Sequence, residues 1–530
     1  MSRHAPRRSS FALVGALLLV ATLAACSDDP QTPSAPTETA PAEATLSDDP
    51  TPVVVDGDVF GVSVQVSVGP LVVHDDDELA VLRVVAEATG AGNVTVQQAF
   101  ANHSLTQDGV FDAVRLVDLD AGVVREAAYT ADGVAVARSG KSDVIETRSK
   151  PAVGFVAYDA PSGPSTDVLL PQLGLVEDVP VVDVETAGSL TVPLSDLTDD
   201  APAELKAPVA FLETYSSQED ATVRTRSTSK TVTLEIDSDV LFDVGSADLS
   251  SDADGALTDV ADQLSEAASG ELRVIGHTDD VGEEDDNQEL SERRAQSVAD
   301  RLTSLRILDQ LEVKVEGRGE SEPLSDETTD EARALNRRVT VELSGEATDV
   351  VKESVEQKLG DDGLPVADGP TVAGLGSAKV EHVDDLGDTM ELTVSLVDVR
   401  RAGNYLLGEL EVSNSGDESA YFVDVLSSVR DGRGNSGGAW SGANNVTLLD
   451  GSLRTYPVDY LAEPGLYLFD GRNSLVEPYL GSLDPGQASS AWVVWPDTGA
   501  DTVVVDVPYG STDVTAGSSP VRFVDVPVRD

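Results

Sequence analysis

Gly276-His277-Thr278-Asp279-Asp280-Val281-Gly282 and Asn287-Gln288-Glu289-Leu290-Ser291-Glu292-Arg293-Arg294-Ala295, separated by the four acids Glu283 to Asp286, are the stretch on which the reading turns. Just before it, Leu272, Val274 and Gly276 share one side of a strand, with Arg273 and Ile275 on the other. Just after it, a helix is predicted over 287–305, with Leu290, Val298 and Leu302 on or near its buried side. Asp286 with Glu289 has the form of a capping box, and Asn287 is the alternative cap. A strand that runs through a short loop into a helix puts Asp279 at the strand end and Arg294 about two turns inside the helix. The pattern continues outward over 231–343. Val232, Leu234 and Ile236 make a strand; Ser250 or Ser251 caps a helix in which Leu257, Val260, Ala261 and Leu264 recur at i, i+3, i+4 and i+7. Leu311, Val313 and Val315 make another strand, and a short helix over 330–335 precedes a last strand at 338–343.

Several spaced motifs here agree in order and separation: Leu241-Phe242-Asp243-x-x-Ser246-Ala247-x-Leu249, Gly276-His277-Thr278-Asp279-x-x-Gly282, Asn287-x-x-Leu290-Ser291-x-x-Arg294-Ala295, Gly317-x-Gly319-x-x-x-Pro323 and Asn336-Arg337-Arg338-Val339. Together they resemble the OmpA-like C-terminal domain family. The resemblance implies an α/β domain of β-α-β-α-β type over 228–345. It also implies non-covalent binding of peptidoglycan through the diaminopimelate of its stem peptides. A zwitterion with an ammonium and a carboxylate on one carbon needs a fixed anion and a fixed cation. The family pattern gives Asp279 to the ammonium and Arg294 to the carboxylate, for which a planar guanidinium fork is suited. It adds hydrogen bonds from Thr278, Asn287 and Arg338, and from Asn336, while Gly282 permits a tight loop with accessible amides. Each residue also has a plainer reading. Asp279 and Arg294 would serve as a structural ion pair, Asn287 as a helix cap, and Gly317-Arg318-Gly319 as a turn. Of Arg337 and Arg338, one is expected to face the ligand. The acids 283–286 would favour the ammonium end of a ligand, or draw a divalent cation.

The whole chain has 530 residues, 35 Lys+Arg against 95 Asp+Glu, and a net charge of −60. Such an acid excess repels phosphate backbones and excludes nucleic acid as a partner. One cysteine excludes internal disulfides and multi-cysteine metal clusters, and five histidines leave little for a His-rich site. Aromatics at 4% are too few for the girdles of a membrane barrel, which disfavours a porin. Residues 1–25 read as a signal peptide: Arg3, Arg7 and Arg8 precede an apolar run from Phe11 to Ala25, too short to span a bilayer. Its end, Leu23-Ala24-Ala25-Cys26, resembles the lipobox of bacterial lipoproteins. That implies lipidation of Cys26 (diacylglycerol, palmitate) and a cell-envelope location, lipid-anchored to a membrane such as the outer membrane on its extracytoplasmic side. Residues 26–50, rich in Pro, Ser, Thr and Asp, form a flexible tether.

Two mainly-β, sandwich-like domains are expected on either side of the central one, at 51–225 and 371–530, with a linker at 346–370. Val62, Val64, Val66 and Val68 alternate as in a half-buried strand. The second region has the pattern of a diverged copy: Leu392, Val394 and Leu396 match Val62–Val68, 405–412 match 79–85, Trp492–Pro496 match Phe155–Asp159, and 502–508 match 166–171. Gly432-x-Gly434-x-x-Gly437 spells a dinucleotide fingerprint without strand–helix context and reads as a flexible loop. Asp75-Asp76-Asp77-Glu78 lacks calcium-loop spacing and reads as a hairpin turn. No nucleophile–base set is visible, so the chain is read as a non-enzymatic envelope lipoprotein without cofactor or metal that tethers a membrane to peptidoglycan. The alternatives are a peptidoglycan-targeted wall hydrolase, or an adhesin or assembly scaffold whose β domains bind envelope proteins.

Overall fold

The computed structural model describes residues 50–530 apart from 75–77, 101–110, 140–143, 147–149, 199–203, 219–222, 252, 265–269, 306–310, 326–327, 345–363, 384–388, 422–425, 427–442, 462–471, 476–481 and 509–519. The expected signal peptide, Cys26, nearly all of the tether, the Asp75–Asp77 acids and the Gly432–Gly437 motif lie outside the described residues.

The motif-bearing region alternates strands and helices: β1 Thr231–Asp237, α1 Ser238–Leu241, α2 Ala253–Leu264, β2 Gly270–His277, α3 Glu284–Ser304, β3 Leu311–Gly319, α4 Asp330–Asn336 and β4 Arg338–Ser344. The sheet order is β1-β4-β2-β3, antiparallel except for the parallel β2–β3 pair. Alternation decides which side of each strand is dry. Val232, Leu234, Ile236, Leu272, Val274, Val339, Val341 and Leu343 are buried against α2 and α3. From α2 come Leu257, Val260, Ala261 and Leu264, at the predicted spacing; from α3 come Ala295, Val298, Ala299 and Leu302. The intervening strand residues form ion pairs instead: Arg273 with Glu316 at 3.1 Å and Glu342 at 3.6 Å, and Glu235 with Arg224 at 3.3 Å.

Ser250 supplies the oxygen at the start of α2, accepting from the Ala253 amide at 3.2 Å. Helix α3 starts three residues earlier than predicted. Its N-cap is Glu283, without a side-chain cap bond, and Glu284, Asp285 and Asp286 occupy the first turn. Carboxylates there complement the positive end of the helix dipole, so the acids continue the helix rather than extend the loop. Gly317-Arg318-Gly319 is the end of β3, not a turn.

The flanking regions are mostly β with short helices, and they share a strand order. In the first, Val53–Val59, Val62–Val73, Leu79–Ala88 and Ala152–Asp159 pair antiparallel in sequence. In the second, Gly376–Val383, Thr389–Ala402, Tyr405–Asn414 and Ala488–Pro496 do the same. The hairpin Arg115–Asp118/Val123–Arg125 joins Ser165–Leu170, as Thr447–Asp450/Leu453–Thr455 joins Thr502–Val507. Gly174–Asp183 then runs parallel to Val62–Val73, and Arg529, two residues beyond Val521–Pro527, bridges in parallel to Arg400 of Thr389–Ala402. The pairing order thus repeats where the side-chain pattern does.

One strand, Val209–Gln218, ties the three regions together. Its start pairs with Val123–Arg125, its middle with Asp459–Leu461, and its end with both Leu453–Thr455 and Val223–Ser227. Val223–Ser227 in turn pairs along β1. Around this strand a shared apolar cluster joins Val117, Leu119, Val124, Leu169 and Leu212 to Ala402, Tyr405, Leu407, Val458, Tyr460, Leu475 and Val494.

Candidate functional site

The loop after β2 carries Asp279. Its Oδ1 accepts from the Val281 amide at 3.2 Å, and its Oδ2 accepts from Arg337 Nη1 at 2.9 Å. Arg337 also forks onto Asp239, with Nε to Oδ1 at 3.1 Å and Nη2 to Oδ2 at 2.6 Å. Those bonds hold its guanidinium well above the ordinary arginine value, Asp239 contributing most. Arg294 projects from α3 and is 5% exposed. Its Nε donates to the Ser246 carbonyl at 2.9 Å, and its guanidinium carbon stands 5.1 Å from the centre of the Phe242 ring. Burial pulls this guanidinium below its ordinary value while Asp239 and Asp279 raise it and Arg337 lowers it. All four charges therefore share one field. Asp279 and Arg294 are not paired with each other, and among the described residues the Nη nitrogens of Arg294 have no acceptor. Among the described residues the arrangement leaves the Nη atoms of Arg294 available within the field of the Asp279 carboxylate.

Two loops brace it. Asn287 Nδ2 donates to the carbonyls of Asp279 and Val281, both at 3.3 Å, and to Glu320 Oε2 at 2.8 Å. Asp280 accepts from Arg333 Nε at 2.6 Å and Nη2 at 3.3 Å, which holds its carboxyl below the usual range. Gly282, at φ 121°, lets the loop turn into α3 in a conformation that other residues rarely adopt. On the other side, Ser297 Oγ donates to the Ala247 carbonyl at 2.6 Å, beside the bond from Arg294.

The sequence-predicted residues divide accordingly. Asp279 lies close enough to Arg294 for its charge to act on that guanidinium, and Thr278 is the chain neighbour of Asp279, its amide bonded to the Gly319 carbonyl at 2.9 Å and its buried Oγ1 without a partner among the described residues. Asn287 is a loop brace rather than a helix cap. Asn336 holds the Leu324–Ser325 segment, accepting from the Leu324 amide at 2.8 Å and donating to the Ser325 carbonyl at 2.8 Å, and is not brought to Asp279. The expectation for Arg338 is corrected. It is 5% exposed and lies 3.4 Å from Glu235, with Nη2 donating to the Glu322 carbonyl at 3.2 Å. Val339, Val341 and Leu343 face the helices, so Arg338, Thr340 and Glu342 face away from Arg294. Arg337, just before the strand, takes the place beside Asp279. The alternation of β4 carried that signal in the sequence. Asp239, inside α1, and Phe242, just after it, were missed, because nothing local marks a residue that meets a distant arginine. Glu283 caps α3 and the acids 284–286 form its first turn, and among the described residues no group of three or more His, Cys, Asp or Glu is placed to hold a metal ion.

His277, 3% exposed, lies at the end of β2. Burial pushes its imidazole down to about 3, with Arg338 and Arg318 acting in the same direction. The unfolded chain, near 6.5, binds the proton more readily, so stability falls as pH drops from about 6.5 toward the folded value. At pH 5 the loss from this group is about 2 kcal/mol. Urea unfolding of wild type and His277→Gln at pH 7 and pH 5 measures it. The variant is expected to lose less stability between the two, and an equal loss would remove His277 as the cause.

The α/β module thus holds Asp279 just past a strand end and Arg294 on the next helix within one electrostatic field. The module is an OmpA-family domain: residues 241–337 match the OmpA family model. Outer membrane porin F of Pseudomonas aeruginosa is 39% identical over 109 residues, 21% of this chain and 31% of that protein. The probable lipoprotein YiaD of Escherichia coli is 37% identical over 113 residues, 21% of this chain and 51% of that one. The chain thus spans about a third to a half of the length of these relatives. Among solved structures, the cell wall anchor of the T6SS from Pseudomonas aeruginosa is 29% identical and covers 24% of this chain and 90% of its own, with a TM-score of 0.22. Among the described residues no helix is long and apolar enough to cross a membrane.

Proposed function

We propose that this chain is a non-enzymatic envelope lipoprotein that tethers a membrane to peptidoglycan by gripping the diaminopimelate of stem peptides between Asp279 and Arg294. The observation that carries the reading is Arg294: buried, without an acceptor for its Nη fork among the described residues, and within the field of Asp279. Arg294 takes the ligand carboxylate on that fork. The ammonium goes to Asp279, whose Oδ2 it shares with Arg337 or takes from it. Thr278 Oγ1 lies close enough in the chain to add a hydrogen bond. The match of residues 241–337 to the OmpA family model and the likeness to a probable lipoprotein support an envelope role. Acylation of Cys26 supplies the anchor in this reading, and residues 26–50 the tether.

A few charge-assisted hydrogen bonds contribute about 1.5–3 kcal/mol each, and association costs offset much of that. One stem peptide is therefore held weakly, and retention comes from many stems met at high effective concentration. The test is co-sedimentation of the protein with purified diaminopimelate-type sacculi, then elution with free meso-diaminopimelate. Binding that free diaminopimelate competes away is expected. Failure to sediment, or sedimentation that diaminopimelate leaves untouched, overturns the reading.

A further inference from the structure

Two exposed valines flank the site's charges: Val244 in the turn whose Ser246 carbonyl holds Arg294, and Val281 in the loop that carries Asp279. Val244 is 102% exposed and Val281 59%, and neither belongs to an apolar cluster. Val244 sits in the turn that the Ser246 amide closes on the Asp243 carbonyl at 2.9 Å, and the Ser246 carbonyl is the acceptor of Arg294 Nε. Phe242, under the same guanidinium, immediately precedes that turn. Val281 is fixed to the other charge: its amide donates to Asp279 Oδ1 and its carbonyl accepts from Asn287 Nδ2. One valine is thus tied by two residues to the cation, and one by two residues to the anion. An exposed apolar side chain weakens nothing in the folded state, yet contributes nothing until something covers it. Placed beside a desolvated polar anchor, it is the kind of group that fixes the rest of a ligand.

We infer that Val244 and Val281 form an apolar rim that packs on the aliphatic arm of the ligand, the methylenes that separate the zwitterionic head from the rest of the stem peptide. This rests on the proposed function. The charges hold the head, and the rim then selects ligands by what extends from it: a three-methylene arm covers both valines, and a bare amino acid with the same head covers neither. The rim thereby separates diaminopimelate from the free alanine and glycine that present the same ammonium and carboxylate.

The test uses the full chain and its Val244→Ser, Val281→Ser and doubly substituted forms, with isothermal titration of meso-diaminopimelate and, separately, of D-alanine. Both positions are exposed, so folding is expected to be unchanged, and matching unfolding midpoints check this. Each single change is expected to weaken diaminopimelate binding about fivefold and the pair about twentyfold, with D-alanine binding unaltered. Equal affinity of wild type and double variant for diaminopimelate overturns the rim while leaving the charged site standing. A parallel loss for D-alanine also overturns it, since the valines would then act on the head. A wild-type chain that binds no diaminopimelate overturns the proposed function and the rim with it.

Discussion

Removal of residues 371–530 is expected to yield an aggregating chain rather than a shorter wall-binding protein. The truncation strips the cover from Val117, Leu119, Val124, Leu169 and Leu212, whose cluster is completed by Tyr405, Leu407, Val458, Tyr460, Leu475 and Val494. Exposing five such side chains costs about 10 kcal/mol at about 2 kcal/mol each, comparable with the roughly 5–15 kcal/mol that holds a whole domain folded. Polar losses add to this. Glu126 loses the Tyr460 hydroxyl at 2.6 Å, Glu213 loses Arg472 at 2.8 Å, and Arg226 loses Asp459 at 3.2 Å. The strand Val209–Gln218 loses its partners at Asp459–Leu461 and Leu453–Thr455, which leaves an open edge ready to pair with another chain. Size-exclusion chromatography and thermal unfolding of a chain ending at residue 370 decide the matter. A monodisperse product with one cooperative transition would show that the interface is dispensable.

That dependence was not legible in the sequence, and the reason is physical. Alternation in a strand says which residues are buried, not what buries them. Val117 and Leu119 stand two apart, as on one side of a strand, and nothing local shows that their cover comes from residues about 300 positions away. Within the α/β module the periods were decisive. Leu257, Val260, Ala261 and Leu264 lie on one side of α2, and Val232, Leu234 and Ile236 on one side of β1, as predicted, because each element buries a single face. That Asp279 follows a strand end and Arg294 lies inside the next helix was legible from the periods alone, whereas their pairing as a site came from the family resemblance. The choice of Arg338 over Arg337 failed although the strand period beside it held the answer. The start of α3 failed because acids that look like a solvated loop are also good first-turn residues. Asp239 and Phe242 reach the site from a distant part of the chain, and only the fold brings them there.

The motif glycines show how closely the site depends on packing, and Gly276→Ala is expected to damage fold and binding together. A Cβ at Gly276 would stand 2.1 Å from the Ser291 carbonyl oxygen and 2.9 Å from its carbon. Both are helix backbone, so no side chain can turn aside, and α3 must retreat from β2. Ser291 is also the clasp of the helix on β3, its Oγ accepting from the Gly319 amide at 3.0 Å while Gln288 Nε2 donates to the Gly317 carbonyl at 2.9 Å. Three residues beyond Ser291 is Arg294, and three beyond Gly276 is Asp279. One methyl group therefore drives apart the two elements that carry the opposite charges. Overpacking of this kind costs about 1–3 kcal/mol. A site that must hold its groups to about 0.5 Å loses its grip before the fold is lost, so binding to sacculi is expected to weaken about tenfold or more. Gly255→Ala is the matched control. It lies in α2 with nothing within 4 Å of the added carbon, and the same change there should stabilise by about 0.5–1 kcal/mol and leave binding alone. Urea midpoints and sacculus co-sedimentation of the two variants separate close helix packing from a general effect of added methyl groups. If Gly276→Ala matches wild type in both, the contact between Gly276 and Ser291 does not set the distance between Asp279 and Arg294.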